Sequence, residues 1–116
     1  MKGGFMEMRT RKENNAAVVS LAGKMDATTA PEYEKGLVQL IAAGELRLVV
    51  DFQGVEYISS AGLRSILATA KILKGKAGRI LFANVRGTVR EVFDISGFDS
   101  IFKLYESVDA ALVEMG

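Results

Sequence analysis

The stretch that most constrains this chain is Leu46-Arg47-Leu48-Val49-Val50-Asp51-Phe52, followed after a short connection by Ser59-Ser60-Ala61-Gly62-Leu63. A run this rich in Val and Leu reads as a strand covered on both faces, the pattern of a parallel sheet. Beyond the connection, Gln53 to Ile58, apolar residues recur at Leu63, Ile66, Leu67, Ala70 and Leu73, which share one helical face. The two serines therefore stand where a strand hands over to a helix. Backbone N–H groups are unpaired there and the helix dipole is positive, so the place suits an anion, including a phosphate attached to a hydroxyl. Ser60 is the candidate modification site, with Ser59 as its alternative.

The rest of the composition narrows the function by what it lacks. The chain has no cysteine and no histidine. Disulfides, thiol catalysis and thiolate metal sites are excluded, and so are the usual general base and the commonest metal ligand. A Ser-His-Asp hydrolase cannot be built, and no nucleophile-elbow pattern supports a Ser-Lys pair. The reading is non-enzymatic, with no metal and no cofactor. With 116 residues, 49% hydrophobic and 25% charged, the chain fits one globular domain, residues 1–116, with residues 1–4 as a flexible terminus. Its net charge is +1 with the basic residues dispersed, which gives no support to nucleic acid as a partner. No apolar run approaches the roughly 20 residues of a membrane span, and no signal-peptide core follows Met1-Lys2-Gly3-Gly4, so a cytoplasmic location is expected.

Taken in order, Phe5 to Arg11 alternates as a first strand, Asn14-Asn15 supplies a turn and Ala16 to Ala22 forms a second strand. Gly23 to Asp26 reads as a loop. Thr29, Pro31 and Glu32 predict a helix start with a Thr cap, a buried stripe of Tyr33, Leu37, Leu40 and Ile41, and a stop at Gly44. After the serine helix, Arg79 to Ala83 is a further strand, and Thr88-Val89-Arg90-Glu91 predicts a second capping box before a helix with Val92 and Phe93 inward. Ile101 to Leu104 reads as an edge strand, and Ser107 caps a last helix bearing Val108, Ala111, Leu112 and Met115. Strands alternating with helices after an opening hairpin predict an α/β fold: one mixed, mostly parallel sheet of four or five strands with about four helices.

In such a sheet the loops leaving the carboxyl ends of the parallel strands share one edge, the default place for function. That edge collects Asp26, Ser59, Ser60 and the Asn84 to Gly87 loop with Arg86. Each residue has a plainer reading beside the functional one. Ser59 or Ser60 can be a simple helix cap, Asp26 a turn residue, and Gly62 a site of close helix–sheet packing. Arg64 lies one helical turn after Ser60 and can pair with a phosphate there, or can be a solvated surface arginine. Lys71, Lys74 and Lys76 read as a solvated helix end, and the methionines as core or terminus filler.

The segment from Val49 to Leu63 resembles the signature of the STAS domain family, the bacterial anti-sigma factor antagonists: a strand ending in Asp, a turn, then Asp-Ser-(Ser, Thr or Ala)-Gly-Leu. Gly23-Lys24-Met25-Asp26 resembles the family's second motif, Gly-x-Leu/Ile-Asp before a helix, and Ser96 to Phe102 its usual ending. The resemblance spans roughly residues 5 to 115. It implies a STAS-like fold and a regulatory role: binding to a serine-kinase anti-sigma factor in a partner-switching system. The kinase would phosphorylate the motif serine, matching Ser60, and a PP2C-type phosphatase would reverse it. Asp26 would match the family's loop aspartate, and Asp26, Ser59, Ser60, Gly62, Arg64 and Asn84 form the expected partner-binding set. This chain has Ser59 where many members carry Asp, which removes a negative charge and adds a hydroxyl. Arg64 likewise replaces the small residue common after Gly-Leu. Two other roles remain open: a STAS scaffold that binds without phosphorylation, and a small-ligand module taking a nucleotide or lipid at the sheet edge.

Overall fold

The structure, a computed structural model, describes residues 5–116. The element order is β1 (Met6–Glu13), β2 (Ala16–Met25), α1 (Ala30–Ala42), β3 (Arg47–Ile58), α2 (Ser60–Gly75), β4 (Arg79–Ala83), α3 (Gly87–Ile95), the short α4 (Phe98–Ile101), β5 (Leu104–Tyr105) and α5 (Val108–Met115). The five strands form one sheet in sequence order, β1 antiparallel to β2 and every other neighbouring pair parallel. The expected mixed α/β architecture is therefore what the chain builds. The expected flexible terminus, residues 1–4, lies outside the described residues.

The alternation along β3 explains the two layers. Leu48, Val50 and Phe52 join Tyr33, Leu37 and Ile41 of α1, Ile66 and Leu73 of α2, and Val89 and Phe93 of α3 in the main core. Val49 points to the other face, where it packs with Val18 and Leu81 under Ala111, Leu112 and Met115 of α5. A strand apolar at successive positions is thus buried on both sides, as the run from Leu46 suggested. Phe52, Phe82 and Phe93 meet edge-to-face at centroid separations of 5.6–6.2 Å, and Phe98 and Phe102 extend the aromatic cluster toward β5.

Several local expectations are corrected. β1 runs to Glu13 rather than Arg11, because Asn14 and Asn15 both take positive φ (52° and 66°) and make a tight two-residue hairpin. Gly23 to Met25 is strand rather than loop, and Gln53 to Ile58 continues β3 rather than connecting it to α2. The two extensions pair with each other through bulged register, Ala22 with Gly54 and Met25 with Ile58. A Cβ on Gly54 would come within 2.7 Å of the Ala22 Cβ and 2.9 Å of the Leu21 carbonyl, so this bulge needs glycine. Neither predicted capping box forms. Thr29 precedes α1 without capping it, and Thr88 lies inside the first turn of α3, its hydroxyl facing the Glu56 carbonyl at 3.5 Å. Ile101 ends a helical turn, and the edge strand is Leu104–Tyr105. Ser107 does cap α5, accepting from the Ala110 N–H at 3.0 Å.

Helix α2 sits on the sheet through Ile66, fully buried, and Leu73, while Leu63 and Leu67 are only half-buried at the margin of the core. Its contact with α1 contains a buried polar seam. Thr69 donates to the Ser65 carbonyl at 2.9 Å, Ser65 donates to Glu34 at 3.1 Å, and the fully buried Tyr33 hydroxyl lies against Thr69. Burial pushes the Tyr33 phenol well above its ordinary value of 10.0, with the neighbouring Thr69 hydroxyl opposing this.

Two outcomes are expected. Ile66→Ala should cost about 2–5 kcal/mol in urea denaturation, and Leu67→Ala clearly less, because truncation costs follow burial. The raised Tyr33 value means that the folded state binds this proton more tightly than the unfolded chain. Its contribution to stability is therefore complete below pH 10 and is lost as the pH rises above it. Denaturation midpoints measured from pH 8 to 11 should fall less steeply in Tyr33→Phe than in the parent.

Candidate functional site

The carboxyl ends of β2 and β3 are tied together where the serines begin. The Ser59 N–H donates to the Met25 carbonyl at 2.9 Å, so Asp26, the next residue of β2's exit, adjoins Ser59. Ser59 takes extended backbone (φ −102°, ψ 176°) and caps α2, its hydroxyl accepting from the Gly62 N–H at 3.4 Å. The two adjacent hydroxyls thus have different jobs. Ser59 is half-buried and turned onto the helix end; Ser60 is the first helical residue, exposed, with no side-chain hydrogen bond among the described residues. No acidic residue lies in the first turn of α2, so nothing within that turn neutralises the positive end of its dipole.

Gly62 is what lets α2 start so close to the sheet. A Cβ there would lie 2.8 Å from the Ile58 side chain and 3.0 Å from that of Met25. It is buried, packing against both strand ends rather than facing outward. Arg64, one turn after Ser60, is exposed and forms no ion pair among the described residues.

Asp26 shapes its own turn. Its carboxylate accepts from the Thr28 N–H and hydroxyl, at 2.9 and 2.7 Å, and from the Thr29 N–H at 3.2 Å. The Ala30 N–H bonds its carbonyl at 2.8 Å. Thr29, read from sequence as a cap, instead bridges this loop: its hydroxyl donates to the Lys24 carbonyl at 2.7 Å and accepts from the Asp26 N–H at 2.9 Å. An Asp followed by threonines two and three residues on is the local signal for such a turn. Asn84 is set deeper than the others, 7% exposed and in left-handed backbone (φ 61°). Its side-chain amide donates to Asp51 at 2.9 Å and its N–H to the Tyr105 carbonyl at 3.0 Å, joining the ends of β3, β4 and β5. Sequence reasoning passed over Tyr57, which is 49% exposed beside Lys24 on the β3 extension. Its signal was the alternation Val55, Tyr57 in a segment taken for a connection.

The arrangement is a presented hydroxyl on a helix N-terminus above a tied pair of strand ends. Residues 7–111 match the family described as STAS domain. The chain belongs to the STAS domain family. It is 38% identical over 106 residues to BtrV of Bordetella bronchiseptica, assigned as an anti-sigma factor antagonist, with 91% of each chain covered. It is 32% identical to the anti-sigma-F factor antagonist RsfB of Mycobacterium tuberculosis, covering 85% of this chain and 80% of RsfB. A crystal structure of an anti-sigma factor antagonist from Mycobacterium paratuberculosis superposes with a TM-score of 0.87 at 30% identity, covering 96% of this chain and 94% of that one. No described helix of this STAS domain is long and apolar enough to cross a membrane.

Two substitutions test the site's construction. Gly62→Ala should lower the melting temperature: overpacking costs about 1–3 kcal/mol, more than the 0.5–1 kcal/mol that alanine gains over glycine inside a helix. Asp26→Ala should also destabilise, by about 1–2 kcal/mol, through loss of the bonds that hold the turn into α1. A melting temperature unchanged in Asp26→Ala would show that its turn does not depend on the carboxylate.

Proposed function

We propose that this STAS domain is an anti-sigma factor antagonist, a regulatory module rather than an enzyme, acting in the cytoplasm. In this reading it binds a serine-kinase anti-sigma factor through the edge built by the exits of β2, β3 and β4. The kinase phosphorylates Ser60, and a PP2C-type phosphatase restores the hydroxyl. The relatives' names support the partner class. The observation that carries the phosphoacceptor assignment is the division between the serines: Ser59 is engaged in capping, which leaves Ser60 exposed and unbonded for a kinase to reach.

The physical consequences follow from charge. A phosphate adds about −1.5 to −2 charges at a place where the helix dipole, the free N–H groups of the first turn and Arg64 all favour an anion. The fold tolerates it. A partner surface fitted to a neutral hydroxyl does not, because a dianion is costly to desolvate at an interface. Ser60 and Arg64 meet the partner directly in this scheme, while Gly62, Asp26 and Asn84 hold the surface in shape. Ser59 takes the place of the family's acidic residue and keeps the unmodified edge free of a negative charge there.

Intact-mass analysis after incubation with ATP and the cognate kinase should show one phosphate, located on Ser60. Ser60→Ala should bind the anti-sigma factor as tightly as the parent, and Ser60→Asp at least tenfold more weakly, with both variants melting within a few degrees of the parent. Phosphate on Ser59 alone, or undiminished binding by Ser60→Asp, would overturn the assignment. A protein that binds its partner and accepts no phosphate would be a scaffold instead.

A further inference from the structure

At the other end of α2 from Ser60, the fold leaves a groove of about 510 Å³, within the range of small-molecule sites. It exists because β5 is only two residues long and pairs with Phe82 and Ala83 alone, so the first half of β4 has no strand beyond it. Leu67 and Ala70 of α2, Ile80 of β4 and Phe102 line its floor. Lys71 and Lys74 stand on the helix wall and Lys103 on the opposite wall, and no carboxylate lines it. None of these lysines forms an ion pair among the described residues. Lys74 alone would be explained by the negative end of the helix dipole, but Lys103 lies on no helix and faces the groove from across it. Arg79 does not add to this charge: its guanidinium lies on the α5 side, toward the Met115 carbonyl at 3.5 Å.

We infer that this groove binds a medium-chain fatty-acid anion, the acyl chain on Leu67, Ala70, Ile80 and Phe102 and the carboxylate among Lys71, Lys74 and Lys103. An apolar floor under a rim of one sign asks for an amphiphile of the opposite sign. An added peptide strand fits less well. The Arg79 N–H turns to the Leu46 carbonyl and the Phe82 N–H to the Lys103 carbonyl, so by alternation only Ile80 offers open edge groups in this half of β4. The inference does not rest on the Ser60 switch, and its test needs no kinase or anti-sigma factor.

The experiment is an NMR titration of the purified protein with decanoate below its micelle concentration, with decanol and decyltrimethylammonium as comparators. Decanoate should saturate at one equivalent, shift the amides of Leu67, Ala70, Ile80 and Phe102, and bind at least tenfold more tightly than the cationic comparator. The triple variant Lys71→Glu, Lys74→Glu, Lys103→Glu, which leaves the core untouched, should weaken decanoate at least tenfold and decanol little. Ile101→Glu, at a lip residue that is 59% exposed, should weaken decanoate as well. Shifts confined to other surfaces, failure to saturate, or equal decanoate binding by the triple variant would overturn the proposal. So would a groove that ignores decanoate but answers to an acidic peptide.

Discussion

The hydrogen bond from the Ser59 N–H to the Met25 carbonyl closes the β2–β3 ladder, and the geometry of the candidate edge depends on it. Two parallel strands run side by side from Ala17 and Leu48 to this point through two irregularities of register. Beyond Asp51 β3 has left β4 and pairs with β2 alone, while β1 stays on β2 as far as Gly23, so the serines begin where β3 has only β2 beside it. Gly54 makes the first irregularity possible by admitting Ala22 and the Leu21 carbonyl at contact distance. Gly62 then lets α2 fold back against Met25 and Ile58. Remove either glycine and the placement of Ser60 relative to Asp26 changes, although neither glycine presents any chemistry of its own.

The overall architecture was legible in the sequence because its signals were redundant. The run Leu48-Val49-Val50, the helical spacing after Ser60 and the Ser107 cap each predicted what forms. The misread segments share a physical reason. Gln53, Glu56 and Tyr57 are strand residues whose side chains are largely in solvent, and with Gly54 they break up the apolar run. A strand exposed in this way loses the apolar pattern by which strands are recognised. Thr29 and Thr88 matched a capping pattern that depends on backbone geometry the sequence does not encode. Thr29 has helical φ and ψ (−104°, −23°), and its hydroxyl finds better partners across the Asp26 turn.

At the site itself, residue identity was easier to read than residue role. Ser59 and Ser60 could not be told apart by pattern, since either can cap a helix. The backbone separates them: with Ser59 extended and Ser60 already helical, only the first can reach back to the Gly62 N–H. Asn84 looked like an edge amide because it follows β4 directly. Its left-handed backbone turns the side chain toward Asp51, an interaction between residues 33 apart in sequence that no local pattern announces.

How a change at Ser60 would be transmitted is constrained by what lies beneath it. Two residues on, in the same first turn, Gly62 is packed against two strand ends and has no room to move inward. Further along α2, Ser65 donates to Glu34 of α1 and Thr69 to the backbone of α2 itself, beside the buried Tyr33 of α1. Sliding α2 along α1 would break the Ser65–Glu34 bond between the two helices, and leaving a buried polar group unpaired costs about 1–3 kcal/mol. Attraction between a phosphate and the helix end is worth about 0.3–1 kcal/mol at an exposed site. The first-turn N–H groups and Arg64 that would hold a phosphate all belong to α2, so none of that attraction is gained by moving α2 against α1. A phosphate placed on Ser60 would therefore act where it is added, by changing the charge and solvation of a fixed surface, without requiring a second conformation.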